Sequence, residues 1–317
     1  LTMLYLPLVY SGGLVGTAVV LVVLTLALIG VCRLVFGSPA RAFVWLCGAI
    51  VLSLMIDLLR GTPLMAASVA GYSIVEGARY YGIGNELMGT MMGAVIVGMG
   101  MVLATRRLGP GVAGLLLAAV FAAVFAFIAA PGLGAKVGGA LAMAPAMAAV
   151  VLARRGWRPS LRSIFIVVIV TALLVGGMFA LDALRSGAHQ SHAGRVVGLV
   201  AGGGVSGLFD IFARKLGVNF MLVATSVWSR LLGISLVASA ILLWWGRRTC
   251  GEDFLDREDA AAAVGSCVGT VAAFLFNDSG VLAGATCSVF LWALLALRLS
   301  DPKRMSGGLT PGHKESN

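Results

Sequence analysis

The feature that most constrains this chain is a run of about twenty apolar residues that keeps recurring from Gly13 to Arg298, broken each time by a few polar ones. A run of that length crosses a hydrocarbon core ~30 Å thick at 1.5 Å per residue. In lipid, every backbone N–H and C=O must find its partner inside the protein, so continuous apolar runs imply helices. Nine spans are predicted, at 13–34, 42–59, 85–105, 111–130, 134–153, 163–184, 229–246, 260–277 and 281–298. The expected fold is all-α, a polytopic transmembrane helical bundle forming a single domain over 1–298. A polar, disordered cytoplasmic tail is expected at 299–317. Composition agrees: 60% of the residues are hydrophobic and 11% are charged, against about 25% charged in soluble domains. A water-soluble domain, a disordered chain and a nucleic-acid binder are thereby excluded, despite a net charge of +10.

Gly109–Pro110, Pro131 and Gly156 mark short turns and hence antiparallel neighbours. Gly89, Gly93, Gly98 and Gly100 give the third span a small-residue surface for close helix contact. The cysteines (Cys32, Cys47, Cys250, Cys267 and Cys287) are scattered without a CxxC pair and read as small apolar packers. Residues 1–12 are too short to span and lack a basic region or cleavage site, so no signal peptide is expected there. Within the long connection 185–228, SGLFDIFARKLG (206–217) interleaves Leu208, Phe209, Ile211, Phe212 and Leu216 with Asp210, Arg214 and Lys215. That pattern predicts an interfacial amphipathic helix before the seventh span. The stretch after it is expected either to dip into the membrane or to extend the seventh span.

Basic residues divide unequally between alternate sides. One side receives Arg33 and Arg41, Arg106 and Arg107, the Arg154–Arg162 cluster, Arg247, Arg248 and Arg257, then Arg298 and the basic tail. The other receives the smaller set of Arg60, Arg79, Lys136, Arg185, Arg195, Arg214, Lys215 and Arg230. The larger set marks the cytoplasm. The chain is therefore expected to be multi-pass, with the N-terminus outside and the C-terminus inside.

The polar residues that interrupt the spans then fall on the outer side. GARYYGIGNE (77–86) brings Arg79, Tyr80, Asn85 and Glu86, and PGLGAK (131–136) brings Lys136. DALRSGAHQSHAGR (182–195) brings Asp182, His189, His192 and Arg195, and FNDSG (276–280) brings Asn277, Asp278 and Ser279. Ionisable groups at membrane depth are costly and mark substrate or ion pathways. Cations beside carboxylates and imidazoles suit an anionic group held by the cations, with a base at hand for proton transfer. The same mixture also suits a gated ion site. Each element has a plain structural role open to it as well. Asn85 and Glu86 suit a helix start, Asp278–Ser279–Gly280 suits a turn, and Arg195 suits headgroup contact. GIG is no phosphate loop, because no strand precedes it. His189 and His192 are too few ligands for zinc, and no metal or other cofactor is expected.

At RYYGIGNELMG (79–89) and FNDSG (276–280) the sequence resembles an uncharacterised family of bacterial polytopic membrane proteins. SHAGR (191–195) and ARKLGVNFMLVATSVWS (213–229) fit the same resemblance, which covers roughly residues 55 to 290. Ser73 departs from it, standing where an acidic residue is expected. The resemblance implies a membrane protein whose relatives can carry an extracytoplasmic phosphatase-like domain, and it implies no particular reaction.

The expected function is an extracytoplasmic-face polar site handling an anionic, phosphate-bearing lipid-linked or envelope substrate. Arg79, Lys136 and Arg195 would hold the phosphate, with Tyr80, Asn85, Asp182, His189 and Ser279 lining the site. Glu86 or His192 would act as base, and Asn277 and Asp278 would orient the acceptor or a water. Expected partners are membrane lipids and that lipid-linked or small-molecule substrate. A proton- or sodium-coupled transporter or flippase using Glu86, Asp182 and Asp278 is the alternative, and a structural anchor is the second. No charged residue falls in the middle of any predicted span, which favours a one-sided site over a pathway through the membrane.

Overall fold

The computed structural model describes residues 1–301 except 11, 72–81, 107, 131, 158–159 and 184–212. Among the described residues every regular element is helical. The first five long helices are α1 (Leu14–Phe36), α2 (Pro39–Leu59), α3 (Asn85–Thr105), α4 (Pro110–Ala129) and α5 (Val137–Arg154). They are followed by α6 (Leu161–Ala183) and by α7 over 213–225. The last three are α8 (Val227–Cys250), α9 (Arg257–Phe276) and α10 (Gly280–Leu299). Eight of them, α1–α5 and α8–α10, are long and apolar enough to cross a membrane. The apolar part of α6, Leu161–Gly177, is shorter. Each expected span thus has its helix, and the chain is a multi-pass helical membrane protein.

Burial ranks the helices. In α3, 83% of the spanning window is inside the protein, whereas in α1 only 6% is. α3 packs on α10, α9 and α2; α9 lies along α5; and α10 also holds α8. Lipid tails are as apolar as the helix faces, so association depends on close van der Waals contact, which small residues permit. A Cβ at Gly89 would overlap the Ala283 carbonyl of α10, and one at Gly93 would lie 2.8 Å from the Cys287 carbonyl. Gly98, however, faces Cys47 of α2, and Gly100 faces Ala262 of α9. The small residues of the third span therefore serve three neighbours, because a helix buried all round turns successive glycines toward different partners.

These contacts also fix direction. Along α5 and α9, Gly138 lies beside Asn277, Ala146 beside Gly265 and Gly269, and Arg154 beside Glu258, so the two helices are antiparallel. α3 and α10 run parallel, Gly89 meeting Ala283 and Gly93 meeting Cys287. The helix ends sort into two poles as a result. The Asn277 pole collects the starts of α3, α5 and α10 with the end of α9. The Asp259 pole collects their opposite ends.

At the Asp259 pole the Asp256 side chain caps α9, accepting from the backbone N–H groups of Glu258 (3.1 Å) and Asp259 (2.9 Å). Arg154 Nε donates to both oxygens of Glu258, at 2.9 and 2.6 Å. Arg298 grips Asp259 at 2.7 Å through Nε and 2.8 Å through Nη2, with side chains only 6% and 0% exposed. Burial of such a pair is tolerated because each charge is met by the other. The Asp57 carboxylate plays a comparable structural part. It accepts from Leu64 N at 2.9 Å and Met65 N at 2.8 Å, starting the short helix Pro63–Ala67. All five cysteines are free thiols.

Candidate functional site

The Asn277 pole is assembled from three helix connections. Between α4 and α5 the chain folds back on the end of α4. Gly134 N donates to Phe127 O at 2.8 Å, Ala135 N to Ala130 O at 3.0 Å and Lys136 N to Ile128 O at 3.0 Å. This reversal delays the start of α5 to Val137, three residues after the expected 134. The segment before α3 is tied to the same turn, Ile83 N donating to Gly134 O at 3.1 Å. Lys136, 9% exposed, is thereby brought near the start of α3, where its charge acts on the Glu86 carboxylate. Glu86 is half-buried in the first turn of α3, a position the helix dipole favours for a carboxylate. Asn85 does not cap this helix; the N-cap is Gly84, with no side-chain bond. Instead the Asn85 Oδ1 is buried without a hydrogen-bond partner.

The turn between α9 and α10 carries the other buried amide. Asn277 is 1% exposed and its Nδ2 donates to Met88 Sδ at 3.5 Å, while its Oδ1 is buried without a hydrogen-bond partner. Gly138 makes room for that oxygen; a Cβ there would lie 2.7 Å from it. Met88 is one helical turn beyond Asn85, and Gly139 packs against both Met88 and Lys136. Asn85, Lys136 and Asn277 therefore surround one sulfur-and-glycine seam where α3, α5 and the α9–α10 turn meet. Asp278 and Ser279 lie further out: the Asp278 side chain is 61% exposed, and Ser279, half-buried, is the N-cap of α10 without a side-chain bond.

α7 holds this turn in shape. Fully buried Asn219 donates through Nδ2 to Phe274 O and Asn277 O, both at 2.9 Å, and accepts from Val281 N at 3.3 Å. One side chain thus satisfies backbone groups at the end of α9 and the start of α10 that neither helix can satisfy itself. One helical turn earlier, Lys215 Nζ donates to Phe276 O at 3.2 Å and pairs with Asp278 at 3.0 Å. Phe220 sets its ring edge-on to Phe274, with centroids 6.2 Å apart. Ser226 then breaks the helix in an extended conformation and accepts from Trp228 N at 3.2 Å to start α8. Residues 213–217 of the expected interfacial helix are helical and run on unbroken through 225, so the stretch after it continues that helix, and Ser226 separates it from the seventh span. Residues 206–212 of that expected helix lie outside the described residues.

Of the residues singled out in the sequence, Asn85, Glu86, Lys136, Asn277, Asp278 and Ser279 gather at this pole. Arg79, Tyr80, His189, His192 and Arg195 lie outside the described residues, as does the tail from 302. Asp182 lies in the last turn of α6, and its side chain is likewise outside them. Sequence reasoning misses Asn219 and takes Lys215 only as a charge. Their spacing of four in an otherwise apolar stretch is the signal that could have found them. Among the described residues no group of three or more His, Cys, Asp or Glu is placed to hold a metal ion.

Chemically, the pole offers a buried ammonium beside a carboxylate and two carboxamides with unused hydrogen-bonding capacity. A carboxamide supplies both an acceptor oxygen and two N–H donors. Comparison with protein-family models, curated proteins and solved structures finds no match to this chain. The functional reading therefore rests on this geometry.

Proposed function

We propose that the Asn277 pole faces outward from the bacterial cytoplasmic membrane and handles an anionic, phosphate-bearing lipid-linked or envelope substrate. The observation that carries the reading is Lys136: a buried side chain held by the α4–α5 turn, whose charge acts on Glu86 at the same pole as the buried, unpartnered amide oxygens of Asn85 and Asn277. Buried polar groups are normally satisfied, and unsatisfied ones call for a functional explanation. A phosphate oxygen would be met by the ammonium, and the free amide oxygens of Asn85 and Asn277 would accept from a hydroxyl of the substrate or a protonated phosphate. Arg79 and Arg195 would add cations, and Glu86 or His192 would take the proton of an attacking hydroxyl. Asp278, held by Lys215, would orient that acceptor, with Tyr80, Asp182, His189 and Ser279 lining the approach. The excess of Arg at the ends of α5 and α8 supports placing the opposite pole in the cytoplasm. Membership of the family resembled at RYYGIGNE and NDSG belongs to this proposal and adds no reaction to it.

The test is native mass spectrometry of the protein purified with its lipids. Wild type is expected to retain a polyprenyl phosphate or a glycolipid built on one, and Lys136→Met to lose it. Equal retention by both would contradict the reading.

One observation favours a second reading, a cation-coupled transporter or flippase. The two free amide oxygens and the Glu86 carboxylate are hard oxygen ligands of the kind Na⁺ or H⁺ coupling uses. Sodium- or proton-dependent uptake into vesicles, lost in Glu86→Gln, would select it.

A further inference from the structure

At the Asp259 pole, away from the proposed site, two cavities adjoin. One, of about 360 Å³, is lined by Arg154 and Arg155 at the end of α5 and by Arg257 at the start of α9, over a floor that includes Gly114, Leu117 and Val151. The other, of about 410 Å³, runs between α4, α5 and α6 and is apolar, with Phe121, Phe125, Met147, Ile166 and Leu174 among its walls. They share Ala118, Val151 and Arg155. A basic chamber thus opens directly into a greasy slot. Glu258 neutralises Arg154. Arg155 and Arg257 are exposed and have no ion-pair partner among the described residues, so the chamber carries excess positive charge.

We propose that the two cavities together bind one anionic phospholipid of the surrounding bilayer. Its phosphate sits among the three arginines, and one acyl chain lies between α4, α5 and α6. The charge selects the headgroup, since guanidinium groups pair bidentately with phosphate oxygens and basic pockets between spans suit anionic headgroups. The continuity of the slot selects a lipid over a soluble anion, because a free phosphate would leave the apolar cavity empty. Among the described residues α6 packs chiefly on α5. Unlike an ordinary basic side chain reaching for any headgroup, this arrangement predicts a single lipid with a preferred charge.

The experiment is native mass spectrometry of the full chain in non-ionic detergent, titrated with phosphatidylglycerol, phosphatidylcholine or inorganic phosphate. Wild type is expected to retain one phosphatidylglycerol about tenfold better than phosphatidylcholine, each lost surface cation being worth about a fivefold change. R155Q/R257Q is expected to lose that preference, and R155K/R257K to keep most of it. Ala122→Trp, at an exposed position lining the slot, is expected to weaken retention with all three arginines present. Undiminished retention in R155Q/R257Q, equal retention of the two lipids, or displacement of phosphatidylglycerol by inorganic phosphate would each overturn the proposal. Should R155Q/R257Q not fold, Ala122→Trp decides: retention equal to wild type overturns it.

Discussion

Asp259 and Arg298 face one another at 2.7 Å in the interior, and Arg154 closes on both oxygens of Glu258. At the other end of the same helices, Asn85 and Asn277 keep buried amide oxygens without a partner, and Lys136 is buried beside Glu86. The first pole uses its core polar groups to fasten α9 to α5 and α10. The second holds its backbone with Asn219 and leaves side-chain capacity over. A bundle in lipid needs its helix ends joined, and it needs that only once per junction. Capacity that remains after the junctions are made is where a ligand is expected. Substitution in the buried ion pairs of the Asp259 pole, or of Asn219, should therefore read out as stability, and substitution of Lys136, Asn85 or Asn277 as substrate binding.

The largest effect belongs to the closed pole. Asp259→Ala leaves Arg298 charged and buried, an expected loss of about 3–5 kcal/mol, checked by thermal unfolding in detergent. A change under about 1 kcal/mol would break the comparison. At the open pole, Asn219→Ala strips two carbonyls and one N–H of their partner. About 1–3 kcal/mol is expected, and hydrogen exchange at Val281 should speed up while that at Ala262 does not. Gly138→Ala drives a Cβ to 2.7 Å from Asn277 Oδ1. The strain is expected to be about 1 kcal/mol, and a shifted Asn277 side-chain amide resonance in NMR would show it. Smallest is Asp278→Asn, which removes an ion pair whose carboxylate is 61% exposed. At most about 0.5 kcal/mol is expected, vanishing in high salt, and denaturant titrations at two salt concentrations would measure it.

The spans were legible because membrane thickness sets their length and each polar break is sharp. α3 begins at Asn85 and ends at Thr105, as its apolar limits say. The start of α5 was displaced because residues 134–136 satisfy the carbonyls at the end of α4 before a new helix can form, and nothing local marks that. The gathering of Asn85, Lys136 and Asn277 was legible once alternate connections were assigned to alternate sides. Asn219 was not, because its partners are backbone groups fifty-five and more residues away. The pairing of Arg154 with Glu258 and of Arg298 with Asp259 was hidden too. In sequence they stand as an Arg cluster, an acidic run and a helix end, and only the antiparallel contact of α5 with α9 and the packing of α9 on α10 join them.

The central claim is that the buried polar groups of the Asn277 pole bind the substrate while the buried ion pairs of the Asp259 pole fasten helices, and a single melting experiment tests it. Melting temperatures of wild type, Lys136→Met and Asp259→Asn are recorded with and without a polyprenyl phosphate. The account predicts that Asp259→Asn melts well below wild type yet keeps the ligand-induced rise, and that Lys136→Met, at whatever temperature it melts, loses the rise. A rise that survives in Lys136→Met would contradict the account.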